Sequence, residues 1–523
     1  MHRLVIALVT LLGLVGAAVV ASYLLLFSVG TDRAARLAPD ESAVYVNVYL
    51  QPSAGQQMNL SELIGRLPGF ADDASLDAKV DQVVQNLLAG SGIDYRRQIK
   101  PWLGDQVAIA AWPGDAGIAE AQPVLIAAVK DREAAEASAA DFVGTSGATF
   151  TTQTHESVEL HVSADAAYAF IDDMLVVGAD ALSLETVIDV SRGAGALADR
   201  DDFRRTMDEM TTDHLAASFI DLAAIAREAD ADQQLSGVST AGAVLVAERE
   251  GLRISGSAPF ATGEVEASAR AGFALGGEPS SLVDWMPADT IAEVVVFGLR
   301  QTLEDAEAAA AGTPEGEELS SALDTLRAVA AFGLGVDLDA DVLPLLDREV
   351  GLALAGLEGE LPSGQLLLRP ADPAAAEDAL ARIVDRLAGV GATAGTEAVG
   401  DATVTVVTVP ELGEVAYTVS DGTVILALGV EDVAAALEAH DAGTSLGASD
   451  AYRRTFETAG VRAGNEAWAD VRALVALLGG GAELDDDVRD ILGQIGTFGF
   501  TAPSRDDRIE FHAVLTVEAA RPD

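Results

Sequence analysis

The sequence predicts an α+β protein: an N-terminal transmembrane helix, then two tandem repeats, each an antiparallel sheet packed with helices. Three observations predict it. Leu4 to Val29 carries no charged residue and is rich in Leu, Val and Ala. The chain after it repeats itself at an offset of about 249 residues. Within each repeat, apolar stretches follow one another across tight turns, which suits antiparallel strands rather than a doubly wound parallel sheet.

The first element is the apolar run. At about 1.5 Å per residue, residues 4–29 span roughly 39 Å, more than the roughly 30 Å hydrocarbon core of a bilayer. A cleaved signal peptide has a shorter apolar region with small residues at the cut, whereas this run continues through Tyr23, Leu24, Leu25, Leu26 and Phe27. The expectation is an uncleaved single-pass anchor. Residues 1–3 form a cytoplasmic tail, residues 30–37 a linker, and the bulk of the chain is extracytoplasmic. Arg3 on one side and Arg33 and Arg36 on the other leave the orientation open to the charge rule.

The repeat comes next. Leu197, Phe203, Arg204, Arg205 and Thr206 match Leu446, Tyr452, Arg453, Arg454 and Thr455 at one constant offset. Tyr168 and Asp172 match Tyr417 and Asp421, and Asp221 matches Asp470. Toward the start of each copy the offset drifts, as loops of unequal length require. Repeat domain one is placed at 38–277 and repeat domain two at 281–523, with the Gly, Pro and Ser-rich seam "LGGEPSSLVDWMP" between them.

Each copy opens with a strand, "VYVNVYL" or "EVVVFGL", and continues with "QVAIAAW" or "EVGLALAGL" and then "PVLIAAV" or "GQLLLR". An Ala-rich helix follows, with Asp131 or Asp372 as N-cap and Pro373 at the first helical position of the second copy. Two strands then meet around Asp172–Asp173 or Asp421–Gly422. Two helices, a strand ending at Asp221 or Asp470, another helix and a closing hairpin complete the copy.

"LAPDESAVYVNV", "GIDYRRQIKPWLGDQVAIA", "YAFIDDMLVVG" and "GALADRDDFRRT" together resemble domain of unknown function 3352, a bacterial, membrane-anchored family. The resemblance covers nearly all of the chain after the anchor, with more divergence at "GVDLDADVLPLLDREVGLA". It implies the architecture and an envelope location. It implies no activity and no catalytic residues.

Composition narrows the function classes. The chain of 523 residues has 83 acidic against 32 basic residues, a formal charge of −51, and no Cys. Thiolate metal sites, iron–sulfur clusters and Cys nucleophiles are excluded, because each needs the sulfur. Half of the residues are hydrophobic, which excludes a disordered acidic tail. The only lysines are Lys79, Lys100 and Lys130, and the arginines are scattered, so nucleic-acid binding through a basic stripe is not expected. A surface adapted to high salt and a codon bias toward Arg both account for this balance.

Candidate sites carry little chemistry. His155, Glu159 and His161 in "HESVELH" fall on one face of an expected strand and include zinc-ligand types, but His155 stands roughly 13 Å from Glu159 along a strand. The second copy has Val404, Thr408 and Pro410 in their places. Asp337, Asp339 and Asp341 begin like a calcium loop, yet Val342 stands where Gly is needed and Arg348 where a bidentate Glu is needed, so capping is expected instead. Asp485, Asp486 and Asp487 read the same way. The glycine patterns from Gly193 and Gly389 follow helices, so they read as C-caps and not as a dinucleotide fingerprint. Arg204–Arg205 and Arg453–Arg454 recur and are able to grip an anion or to pair with neighbouring carboxylates. Trp102, Trp112, Trp285 and Trp468 read as core.

No catalytic, cofactor-binding or metal residue is assigned, and no cofactor is expected. The sequence leads to a membrane-anchored, extracytoplasmic protein that binds or scaffolds something without chemistry of its own. Its expected partners are the bilayer, through residues 4–29, and an envelope protein, lipid or peptide. The alternative is a carboxylate-dependent hydrolase using acids near Asp172 or Asp221 on an envelope substrate.

Overall fold

The computed structural model describes residues 32–66, 81, 84–85, 93–114, 117–146, 148–228, 238–260, 275–310, 314–358, 361–410, 413–478, 493–505 and 507–518. They form two compact units that part near residue 261.

In the first unit the strands are β1 (Val44–Tyr49), β2 (Leu103–Gly114), β3 (Gly117–Val129), β4 (Thr151–His155), β5 (Val158–Val162), β6 (Ala167–Ile171), β7 (Met174–Gly178), β8 (Ala216–Asp221), β9 (Thr240–Ala247) and β10 (Gly251–Pro259). The helices are α1 (Ala54–Gly65), α2 (Arg132–Ser146), α3 (Ala181–Ser191), α4 (Asp201–Met207) and α5 (Leu222–Glu228). Pairing is antiparallel throughout, in the order β4-β5-β6-β7-β3-β2-β1-β8-β9-β10. One sheet face buries Tyr45, Ile126, Leu160, Ile171 and Met174 against Leu184, Val187 and Ile188 of α3 and Phe203 of α4. Asp180 caps α3 in a reciprocal box with Ser183, satisfying N–H groups that a helix start leaves open.

The second unit has strands β11 (Ala292–Phe297), β12 (Glu349–Glu358), β13 (Leu361–Arg369), β14 (Thr393–Val399), β15 (Ala402–Val409), β16 (Gly413–Ser420), β17 (Thr423–Ala427), β18 (Asn465–Asp470), β19 (Ile495–Ala502) and β20 (Arg508–Val517). Its helices are α6 (Leu299–Ala310), α7 (Pro314–Ala328), α8 (Pro373–Gly389), α9 (Val430–Ala442), α10 (Asp450–Ala459) and α11 (Val471–Leu478). The order is β14-β15-β16-β17-β13-β12-β11-β18-β19-β20, position for position that of the first unit. Val295, Leu367, Ile425 and Trp468 line the core face under Val433 and Leu437 of α9 and Tyr452 and Phe456 of α10. Leu282, Val283 and Met286, within the seam segment, are fully buried in the same core. Asp372 caps α8 by accepting from Ala374 and Ala375 N–H at 3.1 Å, with Pro373 opening the helix.

The membrane-spanning helix, and the single-pass, extracytoplasmic placement built on it, are corrected: no helix among the described residues is long and apolar enough to cross a membrane. Residues 4–29, and the bilayer contact assigned to them, lie outside the described residues. Among the described helices the longest, α8, has 17 residues and buries only Ala376, Ala379 and Leu380. A one-sided stripe of that kind docks on a sheet and does not face lipid all round.

One local reading also changes. "HESVELH" is a hairpin and not one strand: β4 ends at His155, and Glu156 and Ser157 turn with φ of 45° and 68° before β5 begins. The stretches after β1 and β11 fold as helices, α1 in the first unit and α6 and α7 in the second.

Candidate functional site

β11 lies between β12 and β18, and its alternation sends Glu293, Val295 and Phe297 to the core face and Val294 to the other. Glu293 stands in register with Ala353 on β12 and Trp468 on β18. It is 2% exposed, and neither carboxyl oxygen has a hydrogen-bond partner. Diagonally from it sits Glu466, opposite Val295 and 1% exposed.

Glu466 is fully engaged. Tyr452 Oη donates to its Oε1 at 3.0 Å, and Arg462 donates through Nε to Oε2 at 3.0 Å and through Nη2 to Oε1 at 3.2 Å. Arg462 Nη2 also reaches Ser280 O at 2.7 Å, and the guanidinium lies 5.2 Å from the Tyr452 ring centroid. Burial pushes the Glu293 carboxyl well above the ordinary carboxylate range, and the neighbouring Glu466 pushes the same way. Burial also raises Glu466, against the pull of Arg462, and raises the Tyr452 phenol. Acid–base chemistry on a substrate needs a desolvated carboxyl at the wall of a cleft. Here desolvation is present and access is not, because both carboxyls are closed off from solvent.

The opposite face of the same strands is open. Leu366 on β13, Leu352 on β12 and Val294 on β11 are consecutive register partners and are 37%, 57% and 48% exposed. The row continues through Ala467, Phe500 and Ala513 on β18, β19 and β20, and on the other side to Leu426 on β17. A second row runs parallel through Leu354, Ala292, Ala469 and Phe498. None of these side chains is charged or able to hydrogen-bond. At roughly 4.8 Å per strand, seven strands give a stripe about 29 Å long. On β13 and β17 the same face is covered: Leu368 and Val424 are buried with Ala376, Ala379 and Leu380 of α8 and with Leu345. The stripe is where that cover stops.

The residues singled out in sequence fall elsewhere. His155 Nε2 meets Asp189 at 2.6 Å, whereas His161 lies across the hairpin, 3.3 Å from Glu159 and stacked on Tyr168. Among the described residues no group of three or more His, Asp or Glu is placed to hold a metal ion. Asp337 accepts from Asp339 and Ala340 N–H at 3.1 Å, a cap, while Asp341 is buried between Arg382 and Arg386. Asp485, Asp486 and Asp487 lie outside the described residues. Gly193 turns with φ 111° just after α3, and Gly389 ends α8. Arg204 pairs with Asp201 at 2.6 Å and Arg453 with Asp450, both at exposed positions.

Asp172 and Asp421 sit at hairpin turns with φ of 50° and 46°. Asp221 is held by Arg200 and caps α5 through Ala224 N–H at 2.7 Å. Trp102, Trp112, Trp285 and Trp468 are buried. Sequence reading passed over Glu293 and Glu466. The signal was there: alternation in "AEVVVF" puts Glu293 on the side of Val295 and Phe297.

A family model described as protein of unknown function, DUF3352, matches residues 4–516 in a single span. A comparison with curated proteins finds no match. Among solved structures, crystal form III of TP0453 aligns at 13% identity and a TM-score of 0.26, over 44% of this chain and 80% of that one. Crystal form I of TP0453 aligns at 12% identity and a TM-score of 0.26, over 47% and 85%.

Proposed function

The chain belongs to the DUF3352 family, proteins of unknown function, and from that premise we propose that it is a binding protein without chemistry of its own. Its occupant is a linear, uncharged hydrocarbon chain laid along the outer stripe of the second unit. The observation that carries this reading is the register row Leu366, Leu352 and Val294, three large apolar side chains exposed side by side next to the part of the face that α8 covers. An uncovered apolar row is maintained against water at a cost, which is the mark of a contact surface.

Chemistry selects among occupants. A peptide laid across this stripe brings backbone N–H and C=O groups that find no partner there, and burying them unpaired is unfavourable. A hydrocarbon chain brings none. The net charge of −51 repels an anionic headgroup, so the ligand is uncharged or cationic at its polar end. The matching strand order of the two units supports reading the chain as a duplicated module.

The test is calorimetric titration of the full chain with hexadecanol delivered from cyclodextrin. The wild type binds, and the triple variant Val294→Thr, Leu352→Thr, Leu366→Thr loses at least about tenfold in affinity, about 1.4 kcal/mol. Threonine suits strands, so circular dichroism stays unchanged. Equal binding by the variant overturns the reading, as does binding only of an Arg-rich amphipathic peptide.

A further inference from the structure

We propose that Glu293 is a proton-operated latch of the second unit: neutral, it lies unpartnered in the core beside Glu466; ionised, it repels Glu466 and loosens β11 from β18. The proposal stands on placement. β11 is an inner strand, and the Glu293 side chain is enclosed between Ala353 and Trp468, neither of which offers it a hydrogen bond. A carboxyl without a partner in such a place persists only while it carries its proton, because a bare buried anion is far costlier than a neutral acid.

The charged groups around it do not relieve it. From β18, Glu466 contributes a like charge. From the turn before β18, Arg462 is the one cation acting on Glu293, and its Nε and Nη2 are already spent on Glu466 and on Ser280 O. From α10, Tyr452 donates its hydroxyl to Glu466. From β12, Glu349 adds a further negative charge that bears on Glu466. Arg462 thus acts on Glu293 through its charge alone, while its hydrogen bonds go to Glu466 and Ser280.

The first unit supplies an internal contrast. Tyr45 stands where Glu293 does, between Ala110 and Phe219, and Ala217 stands where Glu466 does. The acid pair belongs to the second unit alone. Burial raises the Glu293 carboxyl above its ordinary value of 4.5. A carboxyl that binds its proton more tightly folded than unfolded makes stability fall as pH rises above the unfolded value, until the folded value is passed. Val294 is the next residue on the strand, so displacement of β11 also displaces the middle of the outer row, whatever that row binds.

The experiment follows the thermal midpoint of the full chain across pH for the wild type and Glu293→Gln. Glutamine copies the neutral acid, so the two coincide at acid pH, and the variant becomes progressively more stable as pH rises. Infrared spectroscopy of the wild type at neutral pH shows a protonated-carboxyl C=O stretch that Glu293→Gln lacks. Glu293→Met gives the same comparison should glutamine not be accommodated. A midpoint difference independent of pH, or no protonated carboxyl at neutral pH, overturns the proposal.

Discussion

Gln106 and Glu349 hold the same place in the two units and perform the same task. Gln106 Oε1 accepts from Arg33 and Ala34 N–H at 3.2 and 3.3 Å, where the chain turns into the 3-10 segment Ala34–Arg36. Glu349 Oε2 accepts from Ser281 N–H at 3.1 Å and Ser280 Oγ at 2.9 Å, at the start of Leu282–Asp284. Each side chain satisfies backbone donors that enter the core before the first strand. Gln106→Leu and Glu349→Leu are each expected to cost about 1–3 kcal/mol by orphaning them, which lowers the thermal midpoint by about 2–4 °C per kcal/mol in a unit of this size. Scanning calorimetry reads the shift. Glu349→Gln, which keeps an acceptor, changes it far less.

Tyr452 and Glu466 in the second unit stand where Phe203 and Ala217 stand in the first, so the hydroxyl and the acid occur together or not at all. Tyr452→Phe keeps the ring against Phe456 and Trp468 and removes one donor from a buried carboxylate. The expected loss is about 1–3 kcal/mol. A double-mutant cycle with Glu466→Ala by urea denaturation shows coupling; strict additivity contradicts the contact.

Two histidines titrate on opposite sides of their ordinary value of 6.5. The hydrogen bond to Asp189 raises His155, so its contribution is present below 6.5 and lost as pH rises through its folded value. Burial lowers His214, so its contribution is present above 6.5 and lost as pH falls through its folded value. Proton NMR titration separates the two resonances, and Asp189→Asn brings His155 down while His214 stays.

Gly364 has φ 152° at the irregular β12–β13 pairing, and a Cβ there collides with the Ala353 carbonyl oxygen. Gly364→Ala is expected to destabilise the second unit by more than about 1 kcal/mol and to disturb Leu366, two residues on. Its midpoint in urea reports the first effect. Hexadecanol affinity reports the second.

Much of this architecture was written in local pattern. Strands such as β1 and β12 follow from apolar alternation, and the turns at Asp172 and Asp421 from residues that tolerate positive φ. The β4–β5 hairpin escaped because Glu156 and Ser157 are not a glycine turn, and a period-two pattern runs through them without a break. The outer stripe escaped for a deeper reason. Alternation separates the two faces of a strand, but only strand register shows that Leu366, Leu352 and Val294 form one row, and only tertiary packing shows that α8 stops short of it. Glu293 was legible as a charge on an apolar face; its lack of a partner was not.

The most direct measurement of the central claim is photolabelling of the full chain with an uncharged hydrocarbon chain bearing a diazirine, mapped by mass spectrometry. Adducts are expected on Val294, Leu352, Leu366 and Phe498, suppressed by excess hexadecanol. Labelling that avoids these residues, or that excess hexadecanol does not suppress, contradicts it.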